Sequence, residues 1–107
     1  MHLKDRTAIV TGAGGGLGRS HALMLARMGA KVVVNDMHAE SAERVAEEIR
    51  ALGGEAIGIA ASVTDEAAVA AMVGQAIEKW GRVDILVNNA GILRDKSFAK
   101  MDIADFR

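Results

Sequence analysis

The stretch VTGAGGGLGRSH, Val10 to His21, places five glycines among the seven positions from Gly12 to Gly18. Glycine is a poor residue inside either regular element, losing about 1 kcal/mol to alanine in a helix interior. The run therefore reads as a turn. Ahead of it stands TAIVT, Thr7 to Thr11, apolar and mostly β-branched as a strand should be. Behind it the chain reads as a helix.

Working outward, the same alternation recurs. KVVVN (Lys31–Asn35), EAIGIA (Glu55–Ala60) and VDILVN (Val83–Asn88) are short apolar runs closed by small or polar residues, as expected of strands buried on both faces. Between them, Ala42, Val45, Ala46, Ile49 and Leu52 recur at helical spacing, with Glu43, Arg44, Glu47, Glu48 and Arg50 on the opposite face. Val69, Met72, Val73, Ala76, Ile77 and Trp80 repeat the pattern, with Thr64 as the expected N-cap and Asp65 and Glu66 in the first turn. Gly29, Gly53 and Gly81 stand where glycine ends a helix. Met24, Met28 and Met72 are expected to fill gaps between helices and sheet, and Trp80 to close a core edge.

The order is βαβαβαβ, which predicts an α/β fold: a parallel, doubly wound sheet in a three-layer αβα arrangement. The first two helices should cover one face and the third the other, with ligand bound beyond the carboxyl ends of the strands. No linker or second domain interrupts residues 1–107.

Composition narrows the function classes. The 107 residues are 50% hydrophobic and 25% charged, ordinary for one soluble domain, and a net charge of -1 offers no basic field for nucleic acid or an anionic membrane. No apolar run approaches the ~20 residues of a membrane span. Without cysteine, disulfides and thiolate metal sites are excluded, in keeping with a reducing, cytoplasmic setting. His2, His21 and His38 have no metal-ligand spacing, so no metal is expected.

A turn without Cβ atoms lets the backbone approach a bulky anion, and the helix start behind it offers N–H groups and a positive dipole end. A pyrophosphate suits it. The general G-x-G-x-x-G pattern nevertheless fails: from Gly12 the third glycine position holds Leu17, and from Gly14 it holds Arg19. No Gly-Lys-Ser/Thr follows, so the P-loop fails as well.

What the residues match is T-G-x-x-x-G-x-G at Thr11, Gly12, Gly16 and Gly18, together with N-N-A-G at Asn88 to Gly91. With both motifs in register, the chain resembles the short-chain dehydrogenase/reductase family. VVVND (Val32–Asp36), Ser62-Val63 and NNAGILRDKSFAKM (Asn88–Met101) look most like the hydroxyacyl-CoA dehydrogenase units of peroxisomal multifunctional enzymes and their bacterial relatives. The resemblance implies a Rossmann-type fold and a nicotinamide dinucleotide cofactor. It further implies a small alcohol or ketone substrate, a 3-hydroxyacyl-CoA among the candidates, and a homo-oligomer at full length.

Asp36 lies 18 residues past Gly18, where an acidic side chain can accept from both adenine-ribose hydroxyls and repel a 2′-phosphate. No compensating cation is evident, since Met37 follows it and the turn carries Ala13, Gly14 and Gly15. NAD is therefore expected in preference to NADP. By resemblance, Gly12, Gly16, Leu17 and Gly18 receive the dinucleotide, with Leu17 packing beneath its nicotinamide side. The backbone around Ala90 and Gly91 runs along its ribose, Asn89 helps hold that loop, and Ser62 and Val63 flank the adenine, although many relatives carry Asp-Val there. A structural role at the strand end competes for Asn88. Arg94 and Lys96 read as a solvated loop rather than an acyl-CoA contact.

The family's chemistry uses a tyrosine as proton donor, a lysine four residues later and a serine that orients the carbonyl. These 107 residues contain no tyrosine, so no catalytic residue is assigned and the chain alone is expected to be inactive. Met101 to Arg107 reads as the start of a further helix, and the sheet is expected to be truncated after its fourth strand. Two functions remain open: the NAD-binding half of a dehydrogenase acting on a secondary alcohol, and a stand-alone dinucleotide-binding module without turnover.

Overall fold

The structure, a computed structural model, describes residues 3–89. Ala90, Gly91, Arg94, Lys96 and the helix expected from Met101 lie outside the described residues. Within them the order is β1 (Thr7–Thr11), α1 (Gly16–Arg27), β2 (Lys31–Asp36), α2 (Ala39–Ala51), β3 (Ala56–Ala60), α3 (Glu66–Trp80) and β4 (Ile85–Asn88). The strands form one parallel sheet in the order β3-β2-β1-β4.

Alternation along the strands sorts their side chains between two cores. Ala8, Val10, Val32 and Val34 face one side, where α1 contributes Ala22, Leu23 and Leu25 and α2 contributes Val45, Ala46 and Ile49. Ile9 and Val33 face the other, against Met72, Val73 and Ala76 of α3, with Trp80 packed at its margin. The three layers and the crossing of the third helix to the second face are thus as the sequence predicts. Ile9, Val33 and Met72 are fully buried, each worth ~1.5–3 kcal/mol of apolar burial.

Register aligns the carboxyl ends. Thr11 pairs with Asn88, and Asp36 with Ala60, so the residues following all four strands emerge along one edge. On β3, Gly58 lets α2 sit close: a Cβ there would lie 2.9 Å from the Glu43 nitrogen.

Four expectations need correction. Only β1 and β2 are buried on both faces; β3 and β4 are half-covered because each has one neighbouring strand among the described residues. β3 and β4 also begin later than expected, at Ala56 and Ile85. Asp65, not Thr64, caps α3, its carboxylate accepting from the Ala68 N–H at 3.1 Å while Thr64 turns to Ser62. Met24 fills no gap: it is half exposed, on a side of α1 turned from both cores.

Candidate functional site

The glycine turn leaves β1 through Gly12 at φ +60° and enters α1 through Gly16 at φ +56°, a region that side chains with a Cβ rarely adopt. Gly18 has a different task. It is buried in the first turn of α1, and a Cβ there would fall 2.1 Å from the Gly12 carbonyl oxygen. The helix can lie against the end of β1 only because that atom is missing. At Gly14 a Cβ would come within 2.8 Å of the Asp36 carboxyl carbon and 2.6 Å of the Ser41 Cβ. The turn is pressed against the end of β2.

Among the described residues no side chain caps α1, and its first turn holds no acidic residue. By contrast, α3 has Asp65 at its N-cap and Glu66 in its first turn. The positive end of α1 is therefore not answered by its own residues. Arg19, the cation nearest this end in sequence, is turned toward α2, where it forks onto Glu48. The hydrogen bond from Arg19 holds the Glu48 carboxyl below its ordinary range.

Asp36 stands beside the turn. Its Oδ1 accepts from the Gly14 N–H at 3.3 Å, and its Oδ2 accepts from the His38 N–H at 3.0 Å. The His38 ring nitrogen Nδ1 lies 3.3 Å from the same Oδ2. An imidazole thus stands beside the carboxylate, two residues on. Asp36, Gly12, Asn35, Ser62, Val63 and Thr64 line a cleft of roughly 260 Å³. Its lining combines polar groups with the buried Val63, as suits a partly apolar ligand.

Ser62 shapes the cleft wall through its own turn, its hydroxyl meeting that of Thr64 at 2.7 Å and accepting from the Thr64 N–H. Asn35, 1% exposed, donates its amide to the carbonyls of Ile59 at 3.1 Å and Ala61 at 3.2 Å. At the end of β4, Asn88 accepts from the Thr11 hydroxyl at 3.0 Å, a tie between adjacent strands. Asn89 Oδ1 lies 3.0 Å from His21 Nδ1 on α1, while its buried Nδ2 has no partner among the described residues. Leu17 stands 74% exposed at the start of α1.

The short chain dehydrogenase family model matches residues 6–107. The chain belongs to that family. Of its relatives, the peroxisomal multifunctional enzyme A of Dictyostelium discoideum is 47% identical over 99% of this chain and 25% of its own length. The 7alpha-hydroxysteroid dehydrogenase of Escherichia coli K12 is 46% identical over the whole of this chain and 42% of its own length. Among solved structures, a 7α-hydroxysteroid dehydrogenase complexed with NADH and 7-oxo glycochenodeoxycholic acid superposes with a TM-score of 0.79 at 37% identity, covering 98% of this chain and 43% of that one. This short-chain dehydrogenase chain therefore spans less than half the length of these relatives.

All the sequence-expected site residues that are described lie along one edge: Gly12, Gly16, Leu17 and Gly18 after β1, Asp36 ending β2, Ser62 and Val63 after β3, and Asn89 after β4. Gly12, Asp36, Ser62 and Val63 meet in one cleft. Leu17 and Asn89 belong to the α1 side instead. Spacing alone does not show the contact of Gly14 with Asp36, the amide bonds of Asn35, the approach of the His38 ring to Asp36 or the partnership of His21 with Asn89. One signal was available: Asn35 is a polar residue in a run of valines expected to be buried.

Proposed function

We propose that this chain carries the NAD-binding part of an oxidoreductase that moves hydride between NAD(H) and a secondary alcohol or its ketone. A 3-hydroxyacyl-CoA is the first substrate to test. The observation that carries the reading is the Asp36 carboxylate, held by the Gly14 and His38 N–H groups at the lip of the cleft. A carboxylate has about four lone-pair sites, so two backbone donors leave capacity for a diol. The start of α1, with open space where Cβ atoms on Gly15 and Gly16 would stand, fits a pyrophosphate close to the backbone.

Gly12 and Gly16 would shape the pyrophosphate cradle, and Gly18 would keep α1 close enough to form it. Asp36 would accept from the adenine ribose, with Ser62 and Val63 flanking the adenine. Leu17, Asn89, Ala90 and Gly91 would bound the nicotinamide half. Bound nicotinamide supplies the hydride acceptor. The 107 residues contain no tyrosine, so they bind and orient without supplying the family's proton donor.

Titration of the chain with NAD and NADP, followed calorimetrically, tests the reading. NAD is expected to bind at least about ten-fold more tightly, the loss being that of placing a 2′-phosphate against Asp36. Equal affinities would overturn it.

A further inference from the structure

Asn35 reaches both walls of the cleft, with its main chain on one and its side chain on the other, beside Asp36, whose carbonyl accepts from the Ala61 N–H at 3.0 Å. Its carbonyl accepts from the Ala13 N–H at 2.7 Å, in the glycine turn. Its amide donates to Ile59 and Ala61, at the end of β3 and the start of the loop carrying Ser62 and Val63. The residue is 1% exposed and follows three fully buried valines, so valine would suit the site by packing alone. A buried amide is tolerated where its polar atoms find partners, and here the partners belong to the loop.

We infer that Asn35 is a positioning residue for the adenosine side of the site, its amide holding Ala61 and thereby the Ser62-Val63 wall at its distance from the glycine turn. The inference rests on the proposed dinucleotide reading and deepens it. It divides the residue's two bonds by function. The bond from Ala13 is to the main chain and survives any side-chain substitution. The bonds to Ile59 and Ala61 do not. Substitution should therefore loosen the adenosine wall and leave the pyrophosphate cradle as it was, an asymmetry that general loss of stability does not produce.

The test uses the full chain with Asn35→Ala and Asn35→Asp, the latter keeping the side chain's size while removing its donors. Binding of 5′-AMP and of inorganic pyrophosphate is measured by calorimetry or NMR titration, with circular dichroism to check folding. In both variants AMP affinity is expected to fall ~10-fold, as for a wall held by two hydrogen bonds, with pyrophosphate affinity within about two-fold of wild type. An unchanged AMP affinity overturns the inference. So does an equal fall for both probes, which marks a purely structural residue. If Asn35→Ala fails to fold, Asn35→Asp decides; failure of both to fold also overturns it. Wild type binding neither probe would instead overturn the dinucleotide reading.

Discussion

Glycine and aspartate do opposite work at the two ends of this sheet. At the amino ends, Gly81 closes α3 at φ +81°, with open space where a Cβ would be. Its N–H returns to the Ile77 carbonyl at 2.7 Å. Three residues on, Asp84 is enclosed by the Arg82 fork, the Thr7 N–H at 2.9 Å and Arg6 at 3.5 Å. At the carboxyl ends, Gly18 has an ordinary helical backbone but no room for a Cβ, and Asp36 is held by backbone N–H groups and a histidine ring. One end is closed upon itself. The other is shaped around a cleft.

Hollow size does not distinguish the ends. A larger hollow than the cleft, about 380 Å³, lies at the amino ends among Arg27, Lys31, Leu52 and Glu55. It lacks an uncapped helix start and a carboxylate held by main-chain donors, because the C-terminal ends of α1 and α2 meet there. Chemistry selects the smaller cleft.

The largest expected effect comes from Gly18→Ala, where overpacking against the Gly12 carbonyl should cost about 3 kcal/mol, read from the urea midpoint. Gly81→Ala should cost less, about 1 kcal/mol, since only the left-handed backbone is penalised. If the two variants lost equal stability, the contrast between making room and ending a helix would break. Between them in size stands Asp36→Asn. NAD affinity should fall ~10-fold with loss of the charge-assisted acceptor, and the preference over NADP should shrink, both measured by titration.

The smallest effect concerns Asp84. Burial pushes its carboxyl up, but hydrogen bonds from Arg82 and Thr7 and the charges of Arg82 and Arg6 overcome this and hold it below its ordinary value. A lowered carboxylate stabilises the fold above its unfolded pKa of about 4 and loses that contribution as pH falls through the folded value. Urea midpoints should therefore fall more steeply from about pH 5 to pH 3 in wild type than in Asp84→Asn. Equal slopes would show that the closed end owes nothing to its charge pairing.

Much of the architecture was legible because it is local. Hydrophobic spacing marks α2 and α3, and a glycine at each helix end marks the turns at Gly29, Gly53 and Gly81. The same locality explains the misplacement of the α3 cap: Thr64 and Asp65 are both good capping residues, and the choice fell to the turn between Ser62 and Thr64. In the site, Gly12 and Leu17 could be named from the family resemblance, and Asp36 from its place after the second strand. The pressing of Gly14 on Asp36, and the bond between His21 and Asn89, could not.

By itself the sequence determined the order of strands and helices, the turn that must lack side chains and the acid that follows the second strand. Those features depend on a few neighbouring residues and on periodicity. Only the tertiary structure decided which groups face one another: Asn35 with Ala61, Gly14 with Asp36, Arg19 with Glu48. Parallel strand register and the angle at which a helix meets the sheet set those pairings. Both are fixed by packing across the whole domain, and no short stretch of residues records them.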